Sequence, residues 1–130
     1  MIGSSQPVLA RVGDEAILPC HVEPPADMTR ETVEWSRPDL KPPYVLIHRS
    51  GRYLTADQNP LYKDRVSLFD QKLSEGNISL KLSRLRLSDQ GNYTCSVLHL
   101  KSSSNVQLLV GKIQWSIIIL QNLQNLHFIK

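Results

Sequence analysis

Two cysteines are the side chains of this 130-residue chain best able to make or break a covalent bond. Cys20 and Cys95 lie far apart and form no CxxC pair, so neither zinc-ligand spacing nor a dithiol-exchange motif is encoded. Each falls at an inward position of an alternating apolar segment. That suits one buried disulfide in an oxidising compartment, and it also suits two inert buried thiols. A nucleophilic Cys20 would need a free, partly exposed thiol in an electropositive setting, which a buried disulfide forbids. The other reactive types are scattered. His21, His48, His99 and His127 show no HExxH spacing, no serine sits in GxSxG, and neither GxGxxG nor GxxxxGK occurs. The expectation is a chain that is not an enzyme and takes no metal, cofactor or small-molecule substrate. Two N-glycosylation acceptors are present, Asn77-Ile78-Ser79 and Asn92-Tyr93-Thr94. Each asparagine precedes an inward residue, so both are expected to face water.

The elements that must hold these residues are short strands. Gln6 to Ala10 and Glu15 to Val22 are split by a turn at Gly13-Asp14. Ala16, Leu18 and Cys20 share one face, which leaves Pro19 without a donor and outside the ladder or at an irregularity. Thr32 to Arg37 puts Val33 and Trp35 together, and Tyr44 to Arg49 is an apolar strand ending at the hairpin turn Ser50-Gly51. Tyr53-Leu54 reads as a short edge strand. Val66 and Leu68 point inward, as do Ile78, Leu80 and Leu82, which alternate with Ser79, Lys81 and Ser83. In the stretch Ser88 to Cys95, Gly91 allows a tight entry and Tyr93, Cys95 and Val97 share a face. Val106, Leu108 and Val110 follow after the polar loop His99 to Ser104. Eight or nine such strands with turns between them, and no long helical period, give an all-β fold of two packed antiparallel sheets.

Composition agrees with one globular domain: 41% hydrophobic and 21% charged residues, with Gly 6 and Pro 8 for the turns. The formal net charge of +3 comes from 15 basic and 12 acidic residues with no Lys/Arg run of five, so nucleic acid is not an expected partner. Met1 to Pro19 carries Arg11, Asp14 and Glu15 and lacks the apolar run of a signal peptide. The domain is expected to occupy 1–111, with an atypical apolar and polar tail over 112–130. The run Trp115 to Leu120 is too short for a transmembrane span, which needs about 20 mostly apolar residues. Ile117, Leu120, Leu123 and Leu126 recur every three residues, as in an amphipathic helix; a short extra strand is the other option.

The order Cys20, Trp35, Tyr93, Cys95 is the pattern of an immunoglobulin domain. The gap between Trp35 and Cys95 has room for the two extra middle strands of a variable-type (V-set) sandwich. Over about residues 2 to 110, VLARVGDEAILPC (Val8 to Cys20), VEWSRP (Val33 to Pro38), HRSGR (His48 to Arg52), Leu61 to Arg65 and LSDQGNYTC (Leu87 to Cys95) resemble the amino-terminal V-set domain of butyrophilins and myelin oligodendrocyte glycoprotein. Ser36 departs from the tyrosine that many relatives carry there.

The resemblance implies a Cys20–Cys95 disulfide, with Trp35 and Tyr93 in the core beside it, and an Arg65–Asp89 ion pair at one end of the sandwich. It also implies a butyrophilin-like recognition module of a type I surface protein, on the extracellular side of the plasma membrane, binding a cell-surface receptor or ligand in T-cell regulation. Homophilic adhesion through a homodimer is the alternative. The tail is either translated intron, since Gly111-Lys112 fits a splice-donor-like codon pair, or an ordinary segment following the domain; a native tail implies a secreted form.

On the sheet of the Trp35, Tyr44 and Cys95 strands, alternation assigns Glu34 and Ser36, some of Tyr44, Leu46 and His48, and then Ser96, Leu98, Asn105, Gln107 and Leu109 to the solvent face. Leu98 and Leu109 with a tyrosine nearby make an amphipathic patch of the kind that seeds an interface. Scattered surface apolar residues with no partner are the plainer reading. The loops Glu23 to Glu31 and His99 to Ser104 fall together at one end.

Overall fold

Period-two alternation builds this molecule, and the breaks in it divide the sheets. The computed structural model describes residues 1–112. In chain order the strands are β1 (Ile2–Gly3), β2 (Val8–Arg11), β3 (Ala16–Leu18), β4 (Cys20–His21), β5 (Thr32–Ser36) and β6 (Tyr44–Arg49). Then follow β7 (Arg52–Tyr53), β8 (Val66–Leu68), β9 (Leu80–Leu82), β10 (Gly91–Val97) and β11 (Ser102–Gly111). Short 3₁₀ segments occupy Pro60–Tyr62, Asp70–Glu75, Leu87–Asp89 and Leu98–Leu100.

One layer is a six-stranded sheet in the order β2-β11-β10-β5-β6-β7; β11 runs parallel to β2, and the other pairings are antiparallel. The facing layer is the three-stranded sheet β3-β9-β8 with the small pair β1-β4. This is the all-β sandwich that the alternation predicts. Pro19 has no N–H to give to a ladder, and the chain uses it as a divider: β3 before it pairs with β9, while β4 after it pairs with β1. The β6–β7 hairpin turns on Ser50 and Gly51, whose φ angles of 49° and 82° are the left-handed pair that a two-residue turn requires.

The core lies between the layers. Val33, Trp35, Ile78, Leu80, Leu82, Tyr93, Val106 and Leu108 are fully out of water, and burying each aliphatic side chain contributes about 1.5–3 kcal/mol. Cys20 and Cys95 join the two layers with their sulfurs 2.05 Å apart. Trp35 is the cross-strand neighbour of Cys95, and its indole N–H donates to the Ile78 carbonyl at 2.8 Å, so the one polar atom of this large side chain is satisfied inside the core. The expected helix or strand of the tail, with Ile117, Leu120, Leu123 and Leu126, lies outside the described residues. Among the described residues no helix is long and apolar enough to cross a membrane.

Candidate functional site

Most of the buried polar chemistry gathers at one end of the sandwich. Arg65 donates to both carboxylate oxygens of Asp89 at 2.8 Å, and Tyr93 Oη donates to the Asp89 carbonyl. The Tyr62 and Tyr93 hydroxyls meet at 2.9 Å, and Arg37 Nη1 donates to Tyr62 Oη at 3.0 Å and to the Ser88 carbonyl at 2.8 Å. The Arg37 guanidinium also lies 5.5 Å from the Tyr93 ring centre. Gly91 leaves the space for it, since a β-carbon there would meet the guanidinium at 2.9 Å. Burial pushes the Tyr93 hydroxyl well above its ordinary range, with the neighbouring Tyr62 adding to the rise. Burial opposes the charge on Arg37, but hydrogen bonds to Asp39 and Tyr62 outweigh it and the net shift is upward. Every group here is engaged in holding the end of the fold closed. Arg37 and Tyr62 were not singled out in the sequence, although Arg37 continues the inward series Val33, Trp35.

The other concentration of named residues is the outer face of the six-stranded sheet. Glu34 sits at its centre, between Ser96 of β10 and Ile47 of β6. Ser36 sits between Thr94 and Tyr44, and Thr94 Oγ1 donates to Asn105 Oδ1 at 2.9 Å. Asn105 and Gln107 are exposed on β11, while Leu109 is half-buried beside the exposed Leu9 of β2. Tyr44 also lines an open cleft of about 440 Å³ with Ser36, Pro38, Leu40 and Pro43. Partial burial raises the Glu34 carboxyl above its ordinary value. No cation among the described residues forms a salt bridge with it.

Two residues assigned to this face are not on it. Leu46 and His48 are both only 2% exposed. The register explains this: Trp35 pairs with Leu46 but Ser36 pairs with Tyr44, so Val45 is the extra residue of a β-bulge. The bulge reverses the phase of β6 after Tyr44. Leu46 and His48 therefore follow Trp35 and Val33 inward, and Ile47 takes the outward place. His48 packs edge-on against Tyr53 with ring centres 5.0 Å apart, and its Nδ1 is buried without a hydrogen bond. Burial lowers its pKa below the ordinary 6.5, with Asp70 pulling weakly the other way.

Leu98 is also displaced from its expected strand position. β10 stops at Val97, and Leu98 opens the 3₁₀ turn Leu98–Leu100, which closes at Lys101 in the left-handed region (φ 51°). Leu98 and Leu100 are 54% and 42% exposed. Both are exposed apolar side chains at the end of the sheet; Leu98 was expected on the solvent face, whereas Leu100 fell in the expected polar loop.

The two sequons differ in setting. Asn92 is exposed in β10, opposite Gln107. Asn77 is half-buried, which departs from the expectation that both face water. Its Oδ1 accepts from the Ser79 N–H at 2.9 Å, and the Ser79 hydroxyl is itself buried against the Cys20 backbone.

The family model described as "Immunoglobulin V-set domain" matches residues 3–117. Human butyrophilin subfamily 1 member A1 is 39% identical over 95 residues, 73% of this chain and 18% of that protein. Myelin-oligodendrocyte glycoprotein of Macaca fascicularis is 38% identical over 95 residues, 73% of this chain and 38% of that protein. The CD276 antigen homolog of Xenopus laevis is 40% identical over 108 residues, 81% of this chain and 34% of that protein. The chain thus spans less than two fifths of the length of each of these relatives. Among solved structures, bovine butyrophilin superposes with a TM-score of 0.78 at 28% identity, covering 85% of this chain and 53% of that one. The human B7-H4 IgV-like domain superposes at 0.69 and 23% identity, covering 84% and 94%, a likeness of fold.

Proposed function

Since the chain belongs to the immunoglobulin V-set family, as a domain of the butyrophilin and myelin-oligodendrocyte glycoprotein type, we propose that it is a cell-surface recognition module in immune regulation. It binds a protein partner through the outer face of the six-stranded sheet. The parent protein is a type I membrane protein with this domain on the extracellular side, where a Cys20–Cys95 bond persists.

One observation carries the reading. The buried polar groups around Arg65 and Asp89 are spent on holding the fold, whereas the outer face presents a half-buried carboxylate, Glu34, in a field of serine, threonine and asparagine, with exposed Leu98 and Leu100 at its end. Apolar anchors beside adaptable polar groups suit recognition of a protein surface. A partner that places a lysine or arginine over Glu34 would lower the raised carboxyl pKa and gain a charge-assisted bond. The same face offers no activated nucleophile and no paired acid and base.

The test uses the domain displayed as a multimer on lymphocytes. Leu98→Asp is expected to abolish staining while leaving the unfolding midpoint unchanged, because Leu98 is 54% exposed. Unchanged staining by the variant would remove this face as the site, and concentration-dependent self-association without staining would favour adhesion between copies instead.

A further inference from the structure

We propose that Asn92 carries an N-linked glycan that stands on the outer face of the six-stranded sheet and limits which part of it a partner can reach. The sequon Asn92-Tyr93-Thr94 lies wholly within β10, so strand geometry fixes the direction of each side chain. Tyr93 is fully buried, and Asn92 and Thr94 therefore project together from the opposite face. Register places Asn92 beside Gln107 and Thr94 beside Asn105, both exposed side chains that can move aside. A glycan needs such a place, because the folded domain must leave its first sugar in water. Asn77 offers less room: it is half-buried, bridges to His21, and is drawn back by the bond from Ser79 N–H to its Oδ1.

The step itself is a group transfer in the secretory pathway, before the strand forms. The Asn92 Nδ2 nitrogen bonds to the anomeric carbon of an oligosaccharide carried on a polyprenyl diphosphate. The carbon–oxygen bond to the diphosphate breaks, the diphosphate leaves with the electron pair, and the amide nitrogen loses one proton. Thr94 supplies the hydroxyl that the acceptor pattern demands.

Position gives the glycan its consequence, which rests on the recognition reading above. Asn92 lies near the start of β10 and Leu98 follows its last residue, so the two mark opposite ends of the face. A glycan at Asn92 shades Gln107 and its surroundings and leaves Glu34, Ser96 and Leu98 open. The usable interface is then the half nearer the Leu98–Leu100 turn.

The whole chain, secreted from mammalian cells behind a cleavable leader, tests the proposal. Peptide N-glycosidase converts a carrier asparagine to aspartate, so peptide mass spectrometry is expected to find aspartate at position 92. Asn92→Gln and Thr94→Ala should each lose one glycan increment from the intact mass, while Thr94→Ser retains it. An unconverted Asn92 in the secreted protein, or an undiminished mass in Asn92→Gln, would overturn the site. Lymphocyte staining by Asn92→Gln should equal or exceed that of the glycosylated chain; weaker staining would overturn the shading. If neither form stains, the recognition reading fails while the converted Asn92 still stands.

Discussion

Arg65 grips Asp89 with both ends of its guanidinium, Nη1 on Oδ2 and Nη2 on Oδ1, while the two side chains are only 2% and 3% exposed. The remaining valences are filled as well: Asp89 Oδ2 also accepts from the Arg86 N–H, and Arg65 donates to the Leu61, Ser83 and Arg84 carbonyls. Removing one partner leaves a buried charge with nothing opposite it, so Asp89→Ala is expected to cost about 3–5 kcal/mol in denaturant unfolding. Arg65→Lys should also be destabilising, because an ammonium cannot form the fork. A loss below about 1 kcal/mol for Asp89→Ala, the size of an exposed pair, would contradict this account.

The disulfide closes a loop with a sequence separation of 75. In the chain-entropy model such a link stabilises by roughly 4 kcal/mol. Cys20→Ala with Cys95→Ala is expected to lose about that much, and reductant should do the same to the parent chain. Equal unfolding midpoints with and without reductant would show that the link contributes nothing.

His48 predicts a pH dependence with a definite sign. Its folded pKa lies below the ordinary 6.5, burial being the main cause, so the unfolded chain takes up a proton at a pH where the folded chain does not. Stability from this residue is complete above about pH 6.5 and falls as the pH drops towards the folded pKa. Thermal unfolding at pH 7.5 and 5.5 should therefore show a lower midpoint in acid, and His48→Phe should shrink the difference. An equal difference in the two proteins would assign the effect elsewhere.

The bulge at Val45 makes neighbouring residues unequal. Leu46 is 2% exposed, and Leu46→Asp should unfold the domain or cost more than about 4 kcal/mol. Ile47, turned outward opposite Glu34, should accept aspartate within about 1 kcal/mol in chemical denaturation. Reversed costs would mean that β6 runs in the uninterrupted phase that simple alternation suggests.

These residues also mark how far sequence reasoning reached. Strict alternation placed Trp35, Leu80, Leu82, Tyr93 and Cys95 in the core, because a half-buried strand allows only one phase at a time. Pro19 was readable as a break, since it lacks a donor. The face fared less well for the same reason: one inserted residue in β6 inverts every later assignment, and no local signal in Tyr44-Val45-Leu46 announces it. Leu98 was extrapolated from β10, but the chain leaves the strand at Val97, where a turn returning to β11 must begin. The inward course of Arg37 was legible from Val33 and Trp35. Its contacts were not, because Tyr62 and Ser88 reach it only through the fold.

The parallel pairing of β2 with β11 has a mechanical side. Val8 to Arg11 lies near the amino end of the domain, Leu108 to Gly111 ends the last strand among the described residues, and both run the same way. A pull on the two ends of the domain therefore slides these strands past each other, loading their hydrogen bonds together. An antiparallel pair pulled from one end would instead peel open bond by bond. Stretched end to end, the domain is expected to yield abruptly at one high force, and gradual unzipping in a single-molecule experiment would refute that. The strand that pairs against the general antiparallel trend is the one that would act as the latch under tension.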